Sequence, residues 1–288
     1  MTALALALVL VAAVLHATWN LCAKRAGGGL PFVWVVTIVI CSLYVPALAI
    51  HARVRPWEFS WADAAWIAGS GVLKTGYSLF LQRGYRSGDF SLIYPVARGT
   101  GPLLSTVAAI AILGERPSPT AIAGGAVIIA AIFFLTDGTR LLHEDRAHLR
   151  RAMRYGIASG LFIAAYTLWD RHGVHARGIP PVIYDGGTAF TVLALVTPFA
   201  IPRRAEAARH WREHKRYIAG MALLSPTAYV LVLTAMQFTP VSYVAPAREV
   251  SIAVGTFLGA KVLKEADGRR RIWAALAMSA GVIALALG

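Results

Sequence analysis

The sequence predicts an all-α integral membrane fold, ten transmembrane helices built as two inverted five-helix repeats. Two observations carry this. Of 288 residues, 57% are hydrophobic and 15% charged, whereas soluble domains carry about a quarter charged residues. The second is an internal duplication. The segment 89–115, DFSLIYPVARGTGPLLSTVAAIAILGE, is answered from Val241 by VSYVAPAREVSIAVGTFLGAKVLKE. Ala97-Arg98 recurs as Ala247-Arg248 and Glu115 as Glu265, both at a spacing of 150 positions. Thr75-Gly76-Tyr77 and Thr227-Ala228-Tyr229 extend the match into the preceding span.

At about twenty apolar residues per crossing, the first five spans are expected at 2–23, 31–50, 62–81, 90–113 and 119–136. The second five are expected at 153–169, 180–201, 217–236, 241–262 and 272–287. The chain then divides into a first repeat at 1–137, a basic connector at 138–152 and a second repeat at 153–288. The first span lacks the positive start and the small-residue cleavage site of a secretory signal, so it is expected to stay in the chain. Five helices per unit is an odd number, so the second unit enters the bilayer from the opposite face. Such halves let one site open alternately to each side.

The formal net charge of +14 would favour nucleic acid in a soluble protein. Here the cations cluster between apolar runs, so membrane topology accounts for them and no nucleic-acid partner is expected. Of the 28 Lys and Arg, Lys74, Arg98 and Arg248 fall inside spans, and Arg53, Arg55, Arg116, Arg171 and Arg177 fall in the connectors of one side. The remaining 20 lie on the other side. That bias puts the odd-numbered connectors in the cytoplasm and both termini outside. Cys22 and Cys41 form no CxxC pair and no histidines stand at metal-ligand spacing. Neither a disulfide framework nor a metal site or cofactor is indicated.

A guanidinium in hydrocarbon costs from about 2.5 to more than 10 kcal/mol, so it persists where a polar cavity and a counter-charge receive it. Pro95 and Pro102 flank Arg98, and Pro246 precedes Arg248. Both segments are therefore expected to be kinked or interrupted helices lining a midplane site. Lys74, with Arg98 and Arg248, would give a surplus of cations that recruits an anion. Glu249 is the one acid placed deep within a span. It is open to three roles: a buried ion pair with Arg98, Arg248 or Lys74, binding of a substrate ammonium, or carriage of a coupling proton. His16, Trp19 and Asn20 share one helical face, and His16 is a second coupling candidate. Trp19, Tyr77, Tyr94 and Tyr229 are candidate substrate-lining groups; Tyr166, Trp169 and Tyr243 are weighed for the same cavity, against core packing or an interfacial belt at any single position. Asp170 and Asp185 fall near span ends and are expected at the surface. Glu115 and Glu265 are expected to pair with basic connectors or to cap the helix that follows each.

The local sequences LHATWNLCAKR, YPVARGTGPLLSTVAAIAILGERPSPTAIAGGAVII and VLKEADGRRRIWAALAMSAGVI resemble those of EamA-type members of the drug/metabolite transporter superfamily. The Gly114-Glu115 corner is the most characteristic piece. The resemblance spans essentially the whole chain and implies a ten-helix transporter of metabolites such as amino acids, nucleotide sugars or sugar phosphates. Its bacterial members often export.

The expected function is secondary active transport, by alternating access, of a small anionic or zwitterionic metabolite such as an amino acid, in the direction of export. The site would lie at the midplane between the repeats. The expected setting is a bacterial inner membrane, with the lipid bilayer, the substrate and protons or a counter-substrate as partners, and a monomer or weak homodimer as the assembly. No GxxxxGK[ST] loop occurs, so a gradient must drive it. The alternative is an integral-membrane enzyme acting on a lipid-linked substrate, with His16 or Glu249 as acid and base.

Overall fold

The computed structural model describes residues 1–26, 29–54, 57–87, 90–135, 146–254 and 268–288. The expectations for Glu265 and for residues 138–145 lie outside these. The described chain contains helices and no strand. In the first half run α1 (Ala3–Arg25), α2 (Leu30–Val54), α3 (Trp61–Ser87), α4 (Phe90–Leu113) and α5 (Pro119–Leu135). In the second run α6 (Arg146–Arg171), α7 (Pro181–Ala200), α8 (Arg204–Phe238), α9 (Val241–Arg248) and α10 (Gly268–Leu287). A π-turn, His172–Ala176, closes α6, and a 3-10 turn, Ile201–Arg203, joins α7 to α8.

Among the described residues, three stretches are long and apolar enough to cross a membrane: Ala3–Ala23, Leu30–Val54 and Pro181–Phe238. Ala97–Leu113, Pro119–Phe134 and Trp273–Leu287 are shorter apolar helices. Polarity runs opposite to that of a soluble domain. Val45, Ile112, Phe199, Leu223 and Ile283 are exposed, while Asp170, Arg248 and Glu249 are buried. An apolar rim of this extent is what a lipid-solvated protein presents. Hydroxyls follow the same logic: Thr37, Thr75 and Ser105 each donate to the carbonyl four residues back, at 2.8 Å. In an apolar medium each such group must be satisfied from within its own helix or its neighbours.

The packing has a two-fold pattern. α1 packs on α8 as α6 packs on α3, α2 on α8 as α7 on α3, and α4 on α6 as α1 on α9. α2 meets α7, α4 meets α9 and α5 meets α10. Raising each helix number by five, cyclically, carries this set of pairs onto itself. Close approach of α3 to α6 depends on glycine. A Cβ at Gly69 would stand 2.5 Å from the Trp169 ring, and one at Gly76 would stand 2.5 Å from the Phe162 ring.

The two arginine segments differ. The first is not interrupted: α4 is helical from Phe90 to Leu113 through Pro95 and Pro102. A proline deletes one hydrogen bond, and away from water opening the neighbouring bonds as well would cost more. The second segment does break. α9 ends at Arg248, Glu249 turns at φ −72 and ψ −10, and the helix resumes at Val250.

Helix α8 is also divided, by non-helical backbone at His214. The basic stretch before it, 204–213, is helical.

At the corner between α4 and α5, Gly114 adopts φ 68, a left-handed conformation that costs a glycine little. The turn aims Glu115 across the molecule. Its two carboxylate oxygens accept from the N–H groups of Val241 and Ser242, each at 2.8 Å. Glu115 thus caps α9 in the other half rather than α5, whose first turn Ser118 caps by accepting from Ala121 N–H at 3.1 Å. A carboxylate is well matched to the partial positive charge of a helix N-terminus. Glu115→Ala should lower the stability of the detergent-purified protein by about 1–3 kcal/mol, read as a reduced thermal midpoint. An unchanged midpoint would show that the cap contributes nothing.

Candidate functional site

Polar side chains gather between the helix ends in two groups. The first forms where α4 passes α9. Arg98 reaches Glu249 with Nη2 to Oε2 at 2.5 Å, and Arg248 Nε lies 3.6 Å from Glu249 Oε1. Glu249 is the turn residue that ends α9, directly after Arg248. Arg248 and Glu249 are 5% and 1% exposed. One carboxylate serves two guanidinium groups, so the group carries a net charge of +1. His16 on α1 lies within electrostatic reach of both arginines. Its ring meets that of Trp19 edge to face at 4.7 Å. The Trp19 indole N–H is buried with no hydrogen-bond partner among the described residues. Asn20 faces solvent and donates to the His16 carbonyl at 2.7 Å.

The second group was not anticipated. Asp170 and Asp185, expected at the surface, turn inward and share Lys74. Its Nζ lies 3.3 Å from Asp170 Oδ2 and 3.6 Å from Asp185 Oδ1. Asp170 is fully buried. It accepts from Tyr184 Oη at 3.0 Å and makes a short hydrogen bond with Tyr229 Oη. Asp185 accepts from Tyr44 Oη at 2.6 Å. Lys74 Nζ sits 4.0 Å from the centre of the Tyr229 ring, where the ring face attracts a cation.

Asp170 is inward because the helical path does not end with α6 at Arg171. The chain continues through the π-turn, which is anchored by Arg171 donating to the Met236 carbonyl and by His175 Nδ1 at 2.5 Å from the Gln237 carbonyl. Gly173 in that turn leaves room for Tyr184: a Cβ there would stand 2.3 Å from the ring. Asp185 follows Tyr184 by one residue and comes under Tyr44 of α2.

These contacts also correct the expected surplus of cations. Lys74, Arg98 and Arg248 are matched by Asp170, Asp185 and Glu249, so the six charges cancel. They are divided unevenly, +1 around the arginines and −1 around Lys74. Tyr166 and Tyr229 stand between the two groups, within electrostatic reach of Arg248. The Tyr166 ring also lies 6.0 Å from Lys74 Nζ and, edge to face, 6.1 Å from the ring of Tyr77. Tyr243, weighed for the cavity by sequence, is instead at a bundle end, accepting from Ser118 N–H at 3.3 Å. The Tyr94 side chain lies outside the described residues. Although enclosed by neighbouring helices, the Lys74, Asp185 and Arg98 side chains keep 19%, 13% and 11% of their surface accessible. Two hollows, of about 330 Å³ beside Met1, Pro240 and Tyr243 and about 450 Å³ beside Phe80, Arg154 and Tyr155, lie at opposite ends of the bundle, away from these charges.

A signal for Asp170 was present in the sequence. The 150-position spacing that relates the arginines also sets Trp169-Asp170 on Trp19-Asn20, so Asp170 has a counterpart in the face already singled out on the first span. Removing one partner of a buried ion pair costs about 3–5 kcal/mol. Asp170→Ala should therefore lower the thermal midpoint strongly, and a midpoint equal to wild type would return Asp170 to the surface.

A search of curated proteins finds no match. One solved structure, titled only as the crystal structure of a protein, is similar in fold, with a TM-score of 0.77 at 17% identity over 98% of each chain. The family model of the EamA-like transporter family matches twice, at residues 3–137 and 150–287. These matches cover both halves, and with the apolar exterior and the paired helices they assign the chain: it is a two-repeat membrane protein that belongs to the EamA-like transporter family.

Proposed function

We propose that this protein is a secondary active transporter that exports a small zwitterionic metabolite, such as an amino acid, with its site midway through the bilayer between two inverted halves. The observation that carries the reading is the division of the buried charges. A solute with both a carboxylate and an ammonium complements a +1 group and a −1 group facing one interior, whereas a simple anion complements only one of them.

Arg98 and Arg248 would hold the carboxylate, since planar guanidinium forks match its two oxygens. Asp170 and Asp185 would receive the ammonium. Tyr229, Tyr77 and Trp19 would line the space between, with the free Trp19 N–H available as a donor. Glu249 keeps the arginines paired in the unloaded state.

The two-fold packing pattern supports ten spans in an inverted arrangement, because the principal helix pairs of one half recur with their counterparts in the other. The excess of Lys and Arg in the odd-numbered connectors supports a cytoplasmic position for those connectors in a bacterial inner membrane, with both termini outside. Alternating access then follows from exchange of conformations between the halves. A ligand that binds only the folded state raises its melting temperature.

The purified protein should be stabilised by an amino acid that fits, and much less by the matching amine lacking the carboxylate or by the N-acylated acid. Arg98→Ala and Arg248→Ala should each lower flux in proteoliposomes at least about tenfold while remaining monodisperse. Full flux through both variants would contradict the assignment of the arginines. Stabilisation by simple anions alone would contradict the two-pole site.

A further inference from the structure

The second charged group bears on what drives transport. This step rests on the carrier reading above. Lys74 has one positive charge and two carboxylates within 4 Å, so the group is one cation short of neutrality in a medium that penalises unpaired charge. The two carboxylates are not equivalent. Asp170 has both oxygens engaged, Oδ1 by Tyr184 and Oδ2 by Tyr229 and Lys74. Three donors thus already favour the ionised form of Asp170, against two at Asp185. Asp185 keeps accessible surface and holds its tyrosine through Oδ2, while Oδ1 faces Lys74 only at 3.6 Å.

The groups facing this pair are few. From α3 comes Lys74, from α2 Tyr44 and Cys41, and from α6 Tyr166. From α7 comes Tyr184, from α8 Tyr229, and beyond Tyr229 lies Arg248 of α9. Of these only Arg248 is a further cation, and it belongs to the arginine group, where it shares Glu249 with Arg98.

We infer that Asp185, within the Lys74–Asp170–Asp185 group, is the site where a coupling proton and the ammonium of the solute replace one another. With a proton on Asp185 Oδ1, Lys74 is balanced one to one by Asp170 and the group is neutral. When that proton leaves to water on the cytoplasmic side, the group returns to −1 and accepts an ammonium instead. Either occupant satisfies the deficit and both together overshoot it by one charge. Mutual exclusion at one site is the thermodynamic condition for exchange of one proton against one solute. The coupling expected of Glu249 and His16 therefore moves to the opposite group, since Glu249 is held between two arginines.

Infrared difference spectra of the full chain in lipid vesicles, recorded between alkaline and acidic pH, test this without any solute. Wild type should gain the carbonyl band of a buried carboxylic acid at acidic pH. Asp185→Asn, which preserves the contact with Tyr44, should lack that band, and Glu249→Gln should retain it. Lys74→Met, which deletes the shared cation, should show an additional protonated carboxyl. A band unaltered in Asp185→Asn, or lost in Glu249→Gln, would overturn the inference, as would a Lys74→Met spectrum equal to wild type. Flux measured separately on the same vesicles, with glycine, leucine and phenylalanine as probes and a pH dye inside, tests the carrier reading. Solute movement without any proton movement in wild type would sink the coupling alone, and no movement of any zwitterion would sink the carrier reading.

Discussion

An ionised side chain surrounded by lipid persists only beside its opposite, and the interior of this chain is arranged to meet that condition twice over. Glu249 holds two guanidinium groups, and Lys74 is shared by two carboxylates. Each arrangement leaves a residue of one charge, of opposite sign in the two places. Burying such a residue is costly unless geometry and added hydrogen bonds offset the lost hydration. The three tyrosines around Asp170 and Asp185 supply those bonds on one side. The remaining imbalance is the feature from which the proposed chemistry follows.

In each group an ion pair crosses between the halves. Lys74 belongs to the first half and both of its partners to the second. Arg98 belongs to the first and Glu249 to the second. Glu115 crosses the same boundary to cap α9. Movement of one half against the other would alter all three contacts at once, which is the kind of coupling alternating access requires. Glycines at 69 and 76 set how closely α3 can lie on α6, and so how far Lys74 must reach.

The helical fold, its duplication and its membrane setting were legible because each rests on long periodic signals: twenty-residue apolar runs and a spacing of 150 positions that several residues obey. The arginine pair was legible because a guanidinium in an apolar run is rare. The acidic partners of Lys74 were not. Asp170 and Asp185 were placed at the surface because span ends were judged from apolar content alone. A π-turn that carries the sixth helix past Asp170 leaves no mark in hydrophobicity. Which of the two arginine segments runs on through its prolines was equally hidden, since α4 continues to Leu113 and α9 ends at Arg248. Proline breaks helices readily in water, where freed carbonyls find new partners, and much less readily where they do not. The Glu115 cap was seen as architectural, but its target could not be inferred from the neighbouring sequence, since it lies 126 residues away.

The central claim is that one interior holds a positive and a negative pole set apart to grip a zwitterion between two halves of a transporter. The most direct measurement is an experimental structure of the full chain in a lipid nanodisc with a stabilising amino acid bound. The account predicts its carboxylate on Arg98 and Arg248 and its ammonium on Asp170 and Asp185, with Tyr229 alongside. A solute held elsewhere, with both ion groups closed and unchanged around it, would contradict the account.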